Sequence, residues 1–144
     1  MASYSWVPSS QGKVPPNAIV AGKDVDGGLL YVGKVIHEGD TVPCKIAPSA
    51  GGAFVAFAGE EHSKFDYEVL CGSNVAWQSA SNGQVPKNAI VAGQTSDGEK
   101  LYIGRAIHQS SLTPGKVHPS HGVLYISFGG KEITHKDYEV AIQI

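Results

Sequence analysis

Asn17-Ala18-Ile19-Val20-Ala21-Gly22 returns 71 residues later as Asn88-Ala89-Ile90-Val91-Ala92-Gly93. At that single offset residues 6–71 lie on residues 77–142 without a gap, and 30 of the 66 pairs are identical. Leu30-Tyr31-Val32-Gly33-Lys34 matches Leu101-Tyr102-Ile103-Gly104-Arg105, and Asp66-Tyr67-Glu68-Val69 matches Asp137-Tyr138-Glu139-Val140. The 144 residues therefore divide into two copies of one unit, 1–73 and 74–144. Units of roughly 70 residues bury limited core alone, so the copies are expected to pack together or to share strands.

Within each copy the apolar residues alternate with a period of two, and Gly (18) and Pro (8) interrupt nearly every window. The reading is all-β: two pseudo-symmetric antiparallel β repeats, with strands near residues 5–7, 18–23, 29–37, 42–47, 53–58 and 65–71 and their counterparts 71 positions on. Asp26-Gly27 and Asp97-Gly98 mark hairpins, since Asp-Gly supplies the positive φ of a tight turn. In residues 29–37, Leu30, Val32 and Ile36 share one face and are assigned to the core. Tyr31, Gly33, Val35 and His37 share the other, which is expected to underlie a groove. The same parity turns Lys45 and Lys116 away from the aliphatic positions Val42, Cys44 and Ile46. Because the last strand of one copy runs straight into Trp77, exchange of a terminal strand is topologically easy. Trp6 and Trp77 are placed at the repeat junction.

Charged residues make up 17% of the chain and the net charge is −2. No basic stripe is present, so nucleic acid is not an expected partner. No apolar stretch approaches the ~20 residues of a membrane span, and membrane insertion is not expected. The N-terminal residues show no basic region followed by an apolar run, so the expectation is a cytoplasmic protein with reduced Cys44 and Cys71, released, if at all, by a non-classical route. Gly115 and Ile142 replace those cysteines in the second copy, so no repeated disulfide frame exists.

The recurring set Asn-Ala-Ile-Val-Ala-Gly, Leu-Tyr-Val/Ile-Gly-Lys/Arg, Ile-His, Pro-x-Lys and Asp-Tyr-Glu-Val resembles the DM-nine repeat family, in the tandem form of small invertebrate mannose-binding lectins with natterin-like relatives. The resemblance covers about residues 6–142. It implies an all-β fold, binding of mannose and mannose-containing glycans, and recognition of microbial surfaces in innate immunity.

A sugar presents vicinal hydroxyls, which carboxylates accept from and ammonium or amide groups donate to, most strongly when charged. Asp24, at a strand end, and Lys45 form the best candidate pair, with a surface salt bridge as the plainer reading. Lys116 repeats Lys45, whereas Thr95 replaces Asp24, so two sites of unequal affinity are expected. Asp26 and Asp97, kept in both copies, read as turn residues, with ligand contact as the alternative. His37 and His108 end strands on the Tyr31/Gly33 face, with bonding to nearby backbone as the alternative. Glu38 and its counterpart Gln109 follow them and offer acceptors. Glu61, Asp66 and Glu68, repeated as Glu132, Asp137 and Glu139, read as loop-fixing or solvent-facing acids.

His118-Pro119-Ser120-His121 has metal-like spacing, but Ala47 and Ala50 stand there in the first copy and no Cys or carboxylate completes a ligand set. No metal or cofactor is expected. No nucleophile elbow, phosphate loop or zinc-protease motif occurs; paired carboxylates leave a glycosidase as a weaker reading, and the chain is read as a non-enzyme. A non-sugar protein-interaction scaffold is the main alternative to a lectin. A homodimer is expected, because single sugar contacts are weak and multiple sites raise avidity.

Overall fold

The computed structural model describes residues 3–144. Each copy forms seven strands: β1 Tyr4–Ser10, β2 Val20–Lys23, β3 Leu29–His37, β4 Asp40–Ala47, β5 Gly52–Phe57, β6 Glu60–Lys64 and β7 Asp66–Gly72, then β8 Val75–Ser81, β9 Val91–Gln94, β10 Lys100–His108, β11 Ser111–His118, β12 Val123–Phe128, β13 Lys131–His135 and β14 Asp137–Gln143. Two three-residue 3-10 turns, Pro48–Ala50 and Pro119–His121, are the only helical elements among the described residues. β6 and β13 escape the sequence reading because Glu60-Glu61-His62-Ser63-Lys64 has no apolar alternation to betray a strand. Gly27 and Gly98 adopt φ of 88° and 90°, as their Asp-Gly turns require.

The long hairpin β3–β4, paired from Tyr31↔Ile46 to His37↔Asp40, organises each copy. β3 takes β2 and then β7 along its other side. β4 takes β5 and then β9 of the second copy. The second copy repeats this, with β11 meeting β2 at Leu112↔Lys23. The ladders β4–β3–β2–β11–β10–β9 thus close on β4, giving a six-stranded ring drawn equally from both copies. A third crossing links β6 to β13 at Lys131↔Glu60. The terminal strands stay within their own copies, β7 pairing with β1 and β14 with β8. The copies therefore share strands inside the ring rather than swapping their ends.

Three apolar clusters result. Val35, Val42, Cys44, Ile46, Val55, Tyr67 and Val69 fill the first copy, and Ala106, Val117, Leu124, Ile126, Tyr138 and Val140 the second. Between them, Ala21, Val32 and Leu70 meet Ile90, Ala92, Ile103 and Ala141, with Trp6 and Trp77 packed alongside. The tryptophans thus lie at the junction, each under a cation: Lys34 Nζ is 4.5 Å from the Trp6 ring and the Arg105 guanidinium 4.1 Å from that of Trp77.

Two assignments of faces are corrected. Ile36 and Ile107 are 76% and 77% exposed, not core, because β3 and β10 run past the shared cluster that buries Val32 and Ile103. The face of Tyr31, Gly33 and Val35 is not a groove floor. It packs into the copy's own core, and a Cβ on Gly33 would lie 2.8 Å from Ile46 Cγ1.

The copies approach closely at two related points. A Cβ on Gly22 would fall 1.8 Å from the Leu112 carbonyl oxygen, and one on Gly93 2.1 Å from that of Thr41. Both neighbours are backbone and cannot rotate away. Gly22→Ala and Gly93→Ala are each expected to cost about 3 kcal/mol, lowering Tm by roughly 6–12 °C. A melting curve within 2 °C of the parent's would contradict the close approach.

Candidate functional site

Alternation places Lys45 opposite the Val42/Cys44/Ile46 face, as the sequence indicates. It does not point to open solvent: the side chain is only 8% exposed and is covered by the other copy. Its Nζ donates to the Ser127 carbonyl at 2.7 Å and stands 3.5 Å from Glu61 Oε2. Phe54 and Phe128 flank it, with ring centroids 6.0 and 5.7 Å away. An ammonium has three N–H groups; with two directed at Ser127 and Glu61, a third remains.

Asp24 joins this lysine at a cleft of about 340 Å³. Its backbone N–H donates to the Gly28 carbonyl at 2.8 Å and its Oδ1 accepts from Val25 N–H at 2.8 Å, which leaves the second carboxylate oxygen available. Ala47, Ala50 and Glu61 complete the first copy's contribution, and Phe128 and Gly129 form the facing wall.

The second cleft, of about 310 Å³, repeats the plan with the copies exchanged. Lys116, Tyr125 and Glu132 take the places of Lys45, Phe54 and Glu61, while Phe57 and Ala58 come from the first copy. Lys116 Nζ lies 3.4 Å from Glu132 Oε2 and 5.2 Å from the rings of both Phe57 and Tyr125. Burial holds the Lys116 ammonium below the ordinary lysine range, opposed by the Glu132 charge. Neither cleft can form from one copy. Glu61 and Glu132 enforce this: Glu61 Oε1 accepts from Gly130 N–H at 3.2 Å and Glu132 Oε1 from Gly59 N–H at 2.9 Å, each carboxylate gripping the opposite copy's turn while its other oxygen meets the lysine.

The remaining candidates sit around these clefts. Asp26 Oδ1 accepts from Gly28 N–H at 2.8 Å, the turn role, and lies outside the cleft lining. Asp97 and Glu38 line a recess of about 420 Å³ that adjoins the second cleft through Asp40, Phe57, His118 and His121. Gln109 occupies its hairpin turn at φ 44° and lines neither cleft. His37 and His108 do not face the clefts either; they stand behind the walls, each ring 4.8 Å from that of Phe57 or Phe128 at 73°. Asp66, Glu68, Asp137 and Glu139 line separate grooves of about 560 and 760 Å³ beside Ile36 and Ile107.

A family model described as the DM9 repeat matches residues 1–42 and 24–135. The chain belongs to the DM9 repeat family. Natterin-3 of Thalassophryne nattereri is 39% identical over 67 residues, 46% of this DM9 chain and 16% of natterin-3. Natterin-4 of the same organism is 29% identical over 143 residues, covering 96% of this chain and 34% of natterin-4. The DM9 chain thus spans about a third or less of the length of these curated relatives. Among solved structures, the nematode sperm cell motility protein MFP2B superposes with a TM-score of 0.69 at 13% identity, over 98% of this chain and 47% of that one. That likeness speaks for the all-β fold.

Sequence reading does not single out Phe54, Phe128, Phe57, Tyr125 or the cleft role of Glu61 and Glu132 in this DM9 protein. The signal was present, since Phe57/Phe128 and Glu61/Glu132 are identical between copies and Phe54/Tyr125 stay aromatic. Cross-copy contact is what gives those repeats meaning.

Lys45 and Asp24 differ in structural role. Lys45→Ala takes the ammonium donor from the Ser127 carbonyl and the counter-charge from Glu61 Oε2 and is expected to destabilise the protein by about 2 kcal/mol, a Tm loss of roughly 4–8 °C. Asp24→Asn keeps the Val25 acceptor and is expected to change stability by less than ~0.5 kcal/mol. Equal melting temperatures for the two variants, by differential scanning calorimetry, would contradict the buried position of Lys45.

Proposed function

We propose that the protein is a metal-independent lectin that binds mannose-type glycans, such as those of microbial surfaces, through these clefts. The observation that carries this reading is the convergence of Asp24, Lys45 and Glu61 in one cleft walled by Phe54 and Phe128. A pyranose needs charged acceptors and a donor for adjacent hydroxyls and an apolar wall for its C–H face. All of these are supplied by protein side chains, so binding requires no ion. Direct hydrogen bonding of this kind holds a ligand without a nucleophile, which favours recognition over hydrolysis. The second cleft keeps the lysine and glutamate but has Thr95 at the sequence position of Asp24 and takes Asp40, His118, His121 and Tyr125 into its lining, so its partners for a diol differ. A homodimer would double the number of clefts and raise avidity for clustered glycans.

A protein-interaction scaffold is the second reading, favoured by the exposed Ile36 and Ile107 in matching grooves. A glycan array run with EDTA separates the two. Retained binding of high-mannose glycans supports the lectin; no glycan bound in any well overturns it in favour of the scaffold, and release of reducing sugar would identify a hydrolase.

Calorimetry with methyl α-mannoside is expected to resolve two unequal sites. Asp24→Ala removes a charge-assisted acceptor, costing about 2 kcal/mol, a roughly thirtyfold loss, in the tighter site alone. Two equal sites, or parental affinity in Asp24→Ala, would refute the assignment.

A further inference from the structure

All six histidines of the chain occur in contacting pairs. His37 and His62 lie with ring centroids 4.5 Å apart, His108 and His135 5.2 Å apart, and His118 and His121 stack at 3.6 Å and 21°. The first two pairs stand behind the aromatic walls. His37 meets the edge of Phe57 and His108 that of Phe128 in the same geometry, 4.8 Å and 73°. The third pair lies inside the second cleft, where the first copy has Ala47 and Ala50.

We propose that these histidine pairs make ligand binding acid-labile: protonation of the pairs behind Phe57 and Phe128 loosens the two walls, so that the clefts hold ligand near neutral pH and release it in mild acid. This rests on the reading of the clefts as glycan sites.

The contact between His108 and His135 needs at least one neutral ring. His135 Nε2 and His108 Nδ1 are 3.2 Å apart, so one nitrogen must donate and the other accept; when both rings are protonated neither can accept and the bond is lost. His62 Nε2 is 3.1 Å from the Phe57 carbonyl, which only accepts, so that nitrogen carries the hydrogen and ties the imidazole to the backbone of the wall. His37 is 12% exposed, and its Nε2 is buried without a hydrogen-bond partner. Protonated, it would face His62, Lys64 and Lys116 with Glu38 as the opposing charge, Glu38 Oε2 standing 3.4 Å from that nitrogen. Around His118 stand His121 and Lys116 on one side of the balance and Glu99 and Asp40 on the other. His118 Nδ1 is 3.6 Å from Glu99 Oε1, and His121 Nδ1 is 2.9 Å from the Tyr125 hydroxyl.

Burial lowers the pKa of His37, His118 and His135 from the ordinary histidine value, so all three are neutral at pH 7. A histidine whose folded pKa is depressed contributes full stability above its unfolded value near 6.5. That contribution is lost as the pH falls from there through the folded value. The window for release therefore opens below about pH 6.5. The second cleft carries a pair of its own in addition to the pair behind its wall, and so releases first.

The test uses the full chain and methyl α-mannoside, with binding measured by calorimetry at pH 7.5 and 5.0. Parental affinity is expected to fall at least tenfold between the two. The fourfold variant His37→Gln/His62→Gln/His108→Gln/His135→Gln keeps an amide N–H for the Phe57 carbonyl but leaves no imidazole behind either wall, and is expected to lose less than threefold. Equal losses in parent and variant overturn the proposal. A ligand-free readout separates it from the lectin reading: ring resonances of Phe57 and Phe128, followed by NMR from pH 7.5 to 5.0, should shift in the parent and much less in the fourfold variant. Rings that do not respond to pH overturn the device whatever binds. Rings that respond in a protein that binds mannoside at neither pH uphold the wall mechanism and refute the mannose assignment instead.

Discussion

Two α-carbons without side chains, pressed against carbonyl oxygens of the opposite copy, are what the rest of this molecule depends on. Gly22 against Leu112 and Gly93 against Thr41 let β2 reach β11 and β9 reach β4. Those contacts close the ring, and the ring brings Val32 and Ile103, Ala21 and Ala92, into one shared cluster. Only then do the β5–β6 and β12–β13 turns meet, where Glu61 accepts from Gly130 N–H and Glu132 from Gly59 N–H. A copy of this size buries only a limited interior by itself. The central cluster, with its flanking tryptophans, supplies what each copy lacks.

Much of this was legible in the sequence, because duplication and two-residue alternation report directly on strands and on their inner faces. Val42, Cys44 and Ile46 fell where parity put them, and Lys45 on the reverse side. What parity cannot report is what lies across from a face. Lys45 was readable as outward but not as covered by Ser127, since the covering residue is 82 positions away in another copy. Ile36 failed for the complementary reason: alternation continues along a strand after the layer it packs against has ended. Asp24 and Lys45 could be paired from the chemistry of their types, whereas His37 and His108 lie behind walls built by Phe57 and Phe128, a relation with no trace in spacing. The polar strands β6 and β13 left no periodic mark.

The copies agree in framework and differ in their clefts. Lys and Glu are kept, and both lysines are buried beside aromatic rings. Around them Ala47, Ala50 and Phe54 become His118, His121 and Tyr125. Glu99, where the first copy has Gly28, accepts from the backbone N–H and hydroxyl of Ser120 at 2.8 and 2.6 Å, which holds its carboxyl below the usual range and fixes the turn that carries His121. The second cleft is thus the more elaborated of the two, and its differences are coordinated rather than scattered.

Since every cleft draws its lysine from one copy and its facing wall from the other, a solitary repeat would amount to half of two sites and the whole of neither. Two identical repeats related by a true twofold axis would rebuild both. In such an assembly any substitution appears twice, and the two sites must stay the same. Joining the repeats in one polypeptide removes that constraint. Histidine can stand at 121 while alanine remains at 50, and one architecture can then carry two sites with different chemistry.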